Sequence, residues 1–464
     1  MRKAIFTLLF LSFTGWLFAN NITVANTSLS GQNTTTHFTL INFDVAWENS
    51  WRTSTNESNY DGAWIFVKYR KNGTTDWRHC TINATGHTNA GGSAFSVPTD
   101  GKGAFIYRSA DGIGNVNFIG NKLQWNYGAD GVLDNETVEI RVFALEMVYI
   151  PQGSFQLGSG GSEANAFTDG SSTSPYMVSS NSAINLGTTA GTLNPNGQGS
   201  AAGTIPAAFP KGFAAFWIMK YECSQQQYVD FLNHLDLSRA TVNNVGASVT
   251  GTHPNLTTAF PERAAYQLGF RRTAALADWS GLRPMTELEF EKACRGYNTP
   301  AVPNEFVWGN TTLNPLTSVT DQGTSTEAVA SPTNANANVA SSINVPTRTG
   351  LFARASSDRT LSGGTYYGVM NMGDNVQEAV ISIVNPSGRA DDASVHGDGY
   401  LAASGETDQA LWTSYLSFGT KGGGWNTGTS DARTSYRAAV GTFSSYPSDL
   451  NATSFGIRLA RTAQ

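Results

Sequence analysis

The sequence predicts an α+β fold with few helices and many short strands, preceded by an all-β sandwich. Three observations predict it. Runs of β-branched and aromatic residues, bounded by Gly, Asn and Asp, fill residues 20–142. Helix start signals occur at Ser224 and Thr286. From residue 296 onward the chain is rich in turn residues with short apolar pieces, which favours short strands and loops.

The composition limits the classes of function. The 464 residues are long enough for roughly two or three domains. Charged residues make up only 14% of the chain, the net charge is −6, and no basic cluster occurs. Nucleic acid is therefore not expected as a partner. A surface made largely of Gly, Ser, Thr and Asn is common in secreted β-rich proteins.

The N-terminus has the pattern of a secretory signal peptide. Arg2 and Lys3 precede the apolar run Ala4–Phe18, and Ala19 places a small residue at the cleavage point. We expect the first 19 residues to be removed, leaving a secreted, extracellular or periplasmic chain from about Asn20. The alternative is an uncleaved membrane anchor. No later apolar run reaches the roughly 18 residues of a membrane span, so no transmembrane segment is expected in the mature chain.

Residues 20–142 are predicted to form a β-sandwich domain. Short strands separated by turn residues at this spacing are typical of sandwiches. The predicted strands are Thr39–Trp47, Ala63–Tyr69, Gly103–Arg108, Val116–Phe118 and Thr137–Phe143. His79 and Cys80 are predicted to be a surface pair on a strand, because a metal site would need two further ligands.

A second domain is predicted over residues 145–462. Its first element is a hairpin within residues 146–159, where two apolar runs flank a Gly-containing turn. A Gly/Ser/Asn-rich insertion then covers about residues 158–209 and is predicted to be a long loop outside the core. Two capping boxes follow, Ser224 with Gln227 and Thr286 with Glu289, and each predicts the start of a helix.

Three cysteines, Cys80, Cys223 and Cys294, allow at most one disulfide. The expected state is therefore buried free thiols. The alternative is a bond between Cys223 and Cys294, which fall in the same predicted domain.

Seven segments of the second domain carry a family pattern. In chain order they are Met147–Gly158, Phe216–Ser224, Leu282–Ala293, Trp308–Asn310, Tyr367–Glu378, Gly422–Trp425 and Phe455–Arg458. In this order they resemble the formylglycine-generating enzyme, or sulfatase-modifying factor, family over about residues 145–462. The resemblance implies a C-type-lectin-like α+β fold for this domain and nothing about residues 20–142.

The family's catalytic residues do not carry over. Active members oxidise a substrate cysteine with copper and oxygen, using two cysteines after the Gly-Gly motif, and a thiolate pair suits Cu(I). The corresponding segment here, Gly422–Arg461, contains no cysteine. No catalytic residue and no copper are therefore expected.

The hexapeptide ending at Glu378 resembles the family's Gly-Asn-Val-Trp-Glu-Trp motif, in which backbone carbonyls and the Glu help to bind calcium. The resemblance implies a calcium site formed by Asp374, Val376 and Glu378, since oxygen ligands suit Ca²⁺. The two Trp positions are occupied by Gln377 and Ala379, which departs from the motif. The alternative is a metal-free turn in which Glu378 accepts hydrogen bonds from backbone N–H groups.

The segment that lines the family's substrate groove supplies candidate ligand contacts. These are Trp425, Arg433, Tyr436, Arg437 and Tyr446. Aromatic side chains in a groove stack on peptides or sugars, so a protein or glycan ligand is one interpretation. The alternative is that they pack in the core or at its rim.

These observations predict a secreted or cell-surface, non-catalytic binding or structural protein. One alternative is a formylglycine-generating-type oxidoreductase that acts on protein substrates with a non-standard active site. Another is a self-assembling extracellular matrix or filament component, in line with the low charge and the N-terminal β domain.

Overall fold

The computed structural model describes residues 21–200, 202–245, 249–297, 299–355, 357–441 and 453–464. The predicted signal peptide and Tyr446 lie outside these residues. The described chain forms many short strands and few helices, which agrees with the predicted α+β class.

The N-terminal part is built from eight strands. They are β1 (Thr23–Asn33), β2 (Phe38–Arg52), β3 (Tyr60–Lys71), β4 (Arg78–His79), β5 (Ser93–Ser96), β6 (Ala104–Arg108), β7 (Gly112–Trp125) and β8 (Val138–Ile150). All five predicted strands fall on members of this set. β1 was not predicted, because its sequence is polar and gives no alternating apolar pattern.

These strands form two layers. In one layer β2 pairs with β1 and β7. In the other, β3 pairs with β8 on one side and with β4 and β6 on the other, and β5 extends β6. Only the pair Arg52 and Tyr60 joins β2 to β3. Apolar side chains from both layers, such as Phe43 and Trp47 of β2 and Ile65 and Val67 of β3, fill one core between them. Strands β1–β8 thus form a two-layered β arrangement.

The long strand β8 connects the N-terminal strands to the rest of the molecule. It pairs with β3 along its whole length, from Val138 opposite Lys71 to Tyr149 opposite Tyr60. Its last residues, Met147–Ile150, also pair with Phe216–Met219. The position predicted to separate two domains, between residues 142 and 145, therefore lies inside one continuous strand.

The remaining strands are short. They are β9 (Phe155–Leu157), β10 (Thr168–Asp169), β11 (Tyr176–Val178), β12 (Ile184–Leu186), β13 (Leu193–Asn194), β14 (Gly203–Ile205), β15 (Phe216–Met219), β16 (Val249–Thr252), β17 (Asn255–Thr258), β18 (Arg283–Pro284), β19 (Ser318–Thr320), β20 (Ala328–Ser331), β21 (Gln377–Ile381), β22 (Phe418–Lys421), β23 (Phe455–Gly456) and β24 (Leu459–Thr462). The sheet that begins at β1 continues through β8 to β15, β24 and β18.

Two predictions about residues 146–209 were wrong. The predicted hairpin does not form, because both edges of β8 are occupied by β3 and β15, and β9 pairs with β11 instead. The predicted loop contains the four-stranded sheet β10-β13-β12-β14. Its apolar side chains, Ile184, Leu186, Leu193 and Ile205, are buried in the main core. Their spacing among Gly, Ser and Thr is too sparse to show a strand pattern in the sequence.

The helices are short. They are α1 (Gln225–Asn233), α2 (Leu237–Asn243), α3 (Phe270–Ser280), α4 (Glu287–Arg295), α5 (Arg359–Ser362) and α6 (Pro386–Arg389), and 3₁₀ turns occur at Ala410–Trp412, Tyr415–Ser417 and Thr429–Ala432. Both predicted capping boxes are present at the starts of α1 and α4. None of the helices in the described part of the chain has both the length and the apolar character needed to cross a lipid bilayer.

Helix α3 covers the outer face of the β3–β8 layer. The ring of Trp279 lies 5.1 Å from that of Phe66 and 5.0 Å from that of Phe143. Trp64 Nε1 donates to Ser280 O at 2.8 Å. His79 also faces this interior: its side chain is 1% exposed and stacks on Phe66. The prediction of a surface pair at His79 and Cys80 was wrong. Helix α3 and the loops beside it cover His79, and Cys80 is buried in the core between the two strand layers.

Candidate functional site

A cluster of three buried carboxylates lies at the centre of the C-terminal part. Asp374 belongs to the turn that leads into β21, Glu378 lies at the start of that strand, and Glu222 follows β15. All three side chains are at most 1% exposed. Arg458, between β23 and β24, is the cation that contacts the cluster.

Glu222 fixes the conformation of the turn. Its Oε2 accepts a hydrogen bond from Asn375 Nδ2 at 2.6 Å, and its Oε1 accepts one from the backbone N–H of Val376 at 3.0 Å. Asn375 has a φ of 70°, in the left-handed region that non-glycine residues seldom adopt. The two bonds to Glu222 hold this conformation in place.

Asp374 ties the turn to a neighbouring loop. Its Oδ2 accepts a hydrogen bond from the backbone N–H of Asn338 at 2.7 Å, and its Oδ1 accepts one from Asn371 Nδ2 at 3.2 Å. Burial raises the pKa of Asp374 to about 6, against these hydrogen bonds, which favour the ionised form.

Glu378 is only half paired. Its Oε1 accepts from Arg458 Nε at 2.9 Å, whereas its Oε2 accepts from no other residue in the described part of the chain. The remaining nitrogens of Arg458 donate to Met219 O and Met370 O. Burial raises the pKa of Glu378 to about 8, and the charge of Arg458 opposes that rise.

The cluster has more negative than positive groups. Three carboxylates face one guanidinium, and burial together with the charge of Glu378 raises the pKa of Glu222 well above its ordinary value. Hard divalent cations are bound by oxygen ligands, and Glu378 Oε2 is the carboxylate oxygen of the cluster without a partner from another described residue. That Asp374, Val376 and Glu378 hold calcium stays a prediction. Among the described residues, the acidic side chains whose ligand oxygens all lie within 4.8 Å of one another are Asp278, Asp398 and Asp408.

The predicted ligand segment is bonded to the same turn. Trp425 N donates to Asn375 O at 3.0 Å, and Gly423 N donates to Gly373 O at 3.2 Å. The Trp425 ring packs against Tyr266 and is 6% exposed. The structure thus brings together the two regions that the sequence singled out separately.

The other ligand candidates have different surroundings. Arg433 is half-buried, donates to Asn304 Oδ1 at 3.0 Å and lies over the Phe306 ring. Tyr436 is half-buried as well.

Arg437 is fully buried. Its Nε donates to Glu287 Oε2 at 2.7 Å, and its guanidinium lies 3.7 Å from the centre of the Phe167 ring. Arg437 is thus placed in the core, which corresponds to the packing alternative for that residue.

The cysteines are free and buried, as expected from the sequence. Burial raises the pKa of the Cys80, Cys223 and Cys294 thiols. A reactive or metal-binding thiol has a lowered pKa, because the thiolate is the active form. None of the three has that environment.

Two residues of the cluster were not predicted as site residues. Glu222 and Arg458 both lie in segments that carry the family pattern, each as a charged residue next to short apolar strands. That contrast is the signal that marks them, since buried charges are retained only when paired.

Comparison with known families gives the class of this protein. The family sequence model of the sulfatase-modifying factor enzyme 1-like domain matches residues 135–463. The chain belongs to this family, and the resemblance stated from the seven segments is confirmed. The match begins ahead of β8, so the whole of that strand belongs to the family domain. No curated protein matched the sequence.

Proposed function

We propose that this protein is an exported, non-catalytic binding or structural protein built on a sulfatase-modifying-factor domain. The observation that supports it concerns the thiols. The segment Gly422–Arg461 contains no cysteine, and the three cysteines elsewhere are buried with raised pKa values. Copper-dependent oxidation of a substrate cysteine needs thiolates that reach both metal and substrate.

Native alkylation tests this proposal. Iodoacetamide should label none of the three cysteines in the folded protein and all three in denaturant. A cysteine-containing peptide incubated with the protein, Cu(I) and oxygen should yield no aldehyde. Rapid labelling of Cys223 or Cys294, or aldehyde formation that a Cys→Ser change removes, would favour the oxidoreductase with a non-standard active site.

The proposed export rests on the N-terminal pattern. N-terminal sequencing of the exported protein should give a start near Asn20. Protein that begins at Met1 and is recovered in a membrane fraction would instead support an uncleaved N-terminal membrane anchor.

The proposed binding surface is the region around Trp425, Arg433 and Tyr436. Arg433 and Tyr436 are half-buried, and their chemistry suits a peptide or a glycan. If this surface binds a ligand, Arg433→Ala should weaken the affinity for the best ligand of a peptide and glycan screen by about tenfold. That is the effect of losing one good polar contact. Arg78→Ala, which changes an exposed arginine of the N-terminal part, is the matched control. Equal binding by both variants would exclude this surface.

We further propose that the carboxylate cluster binds calcium through the carbonyls of Asp374 and Val376 and the carboxylate of Glu378. The support is the excess of carboxylates over cations and the free oxygen of Glu378. Bound calcium would act structurally, by neutralising charge beneath the Trp425 segment.

Self-assembly is a second candidate function, favoured by strand β1. This strand lies at one end of its sheet, is exposed along almost its whole length, and contains no charged residue and no proline. Natural edge strands usually carry such residues, because an open row of N–H and C=O groups pairs with other chains. We propose antiparallel pairing of β1 with β1 of a second copy.

A further inference from the structure

A cavity lies where the N-terminal strands meet the C-terminal part. Its volume is about 380 Å³, within the range of small-molecule pockets. One wall comes from residues 21–24, which end in the first two residues of β1, and from the middle of β8, residues 142–145. The opposite wall comes from the first turn of α1 and the end of α3. It does not include the carboxylate cluster or the Trp425 segment.

Aromatic rings form one side of this cavity. Phe66, Phe143 and Trp279 contact one another, with ring centres 5.0 to 5.1 Å apart. Met219 and Leu276 extend the apolar surface. A wall of this kind binds an apolar body and also attracts a cation, since the faces of aromatic rings are negative.

The charged groups in the lining are both acidic. Asp230 of α1 and Glu262 line the cavity, and no lysine or arginine is among the described residues that line it. Gln226 Nε2 donates to Asp230 Oδ1 at 2.9 Å, which orients this carboxylate. Lys68 contacts Trp279 from outside the lining, and its Nζ donates to Gly399 O at 2.7 Å. The cavity therefore combines apolar walls with negative charge.

We propose that this cavity binds a small organic amine with an aromatic or branched apolar body, its ammonium group facing Asp230. The rings of Phe66, Phe143 and Trp279 take the apolar body. A carboxylate partner and an aromatic wall both favour a cation over an anion of the same shape. This site is independent of the proposed binding surface at Trp425.

The test compares three probes of similar size by calorimetry on the full mature protein. These are 2-phenylethylamine, the neutral 2-phenylethanol and the anionic 3-phenylpropanoate. We expect one site for the amine and at least about tenfold weaker binding of the anion. Asp230→Asn should weaken binding of the amine about tenfold and leave binding of the alcohol unchanged. Asp76→Asn changes an exposed carboxylate and should leave binding of the amine unchanged.

Two variants test the location. Ala144→Trp enlarges a lining residue of β8 that also packs against the core between the strand layers. Thr23→Trp narrows the cavity from the exposed strand β1, a change that the fold should tolerate. Either folded variant should abolish binding of the amine. Three results would overturn the proposal: the amine gives no heat of binding up to about 5 mM, the anion binds as tightly as the amine, or Asp230→Asn and Thr23→Trp bind the amine with unchanged affinity.

Discussion

Glu378 is the residue on which the proposed calcium site depends most directly. Its Oε1 is held by Arg458, and its Oε2 is left without a partner from another described residue. A buried carboxylate oxygen without a partner costs free energy unless it is protonated or bound to a cation. The proposed calcium site therefore predicts that a change at Glu378 removes any stabilisation of the fold by calcium.

Calcium should raise the melting temperature of the wild-type protein and leave that of Glu378→Gln unchanged. The variant keeps an oxygen for Arg458 but lacks the negative charge that attracts the ion. At 100 times the dissociation constant, calcium would add about 2.7 kcal/mol to the free energy of unfolding. Differential scanning calorimetry with and without calcium measures this.

Asp76→Asn, which removes an exposed carboxylate, is the control and should respond to calcium like the wild type. An equal response of Glu378→Gln, or no response of the wild type, would contradict the calcium site.

At the residue scale, the sequence predicts groups that lie close together in the chain and misses contacts between residues that lie far apart in it. Asp374, Val376 and Glu378 were predicted together because they share one short motif. Glu222 was missed because its partner Asn375 lies 153 residues away. Nothing local to Tyr221-Glu222-Cys223 shows which turn this carboxylate contacts.

Strand β8 is the element that joins the two parts, and it carries a buried charge network. Glu146 Oε2 accepts from Lys220 Nζ at 3.1 Å, and Lys220 Nζ also donates to Asp61 Oδ2 at 3.0 Å. Asp61 belongs to β3, so the network bridges three strand regions. Burial raises the pKa of Glu146 to about 7, although the charge of Lys220 opposes this.

The raised pKa of Glu146 predicts a pH dependence of stability. The folded protein keeps the proton of Glu146 up to about pH 7, whereas the unfolded chain loses it near 4.5. The stabilisation is therefore full below pH 4.5 and lost as the pH rises through 7, a change of at most about 3 kcal/mol.

Urea unfolding at pH 5.5 and 8.5 measures this effect as a difference between wild type and Glu146→Gln. The wild type should lose more free energy of unfolding than the variant over this interval, because glutamine does not ionise. The same loss in both proteins would show that other buried carboxylates cause it.

Elements were predictable where their signals are local. The capping boxes of α1 and α4 lie within four residues each, and both are present. The pairing of β8 with β3 joins residues far apart in the chain, and β1 and β10–β14 lack a strong apolar alternation. Those features depend on tertiary partners that periodicity does not show.

At the scale of the whole molecule, the exposed strand β1 predicts association. A second copy could pair along this edge without rearrangement, which should give a concentration-dependent dimer. Thr27→Lys and Leu29→Lys together should abolish the dimer, because like charges would face each other across the new pair. Sedimentation equilibrium measures the association constant.

Met177→Lys changes an exposed apolar residue elsewhere on the surface and serves as the control for solubility effects. A dimer that survives the double change in β1, or a wild-type protein that stays monomeric at high concentration, would exclude assembly through this edge.

The continuity of β8 has a consequence for inheritance of the fold. Because one strand supplies hydrogen bonds to β3 on one side and to β15 on the other, the two parts cannot be separated within β8 without breaking backbone pairs in both. A recombination event that cut the gene between the codons for residues 142 and 145 would divide this strand and leave β3 and β15 with unpaired backbone groups. A relative that gains or loses the N-terminal layers is thus expected to have a changed β8 edge as well, because that edge pairs with β3 in this protein.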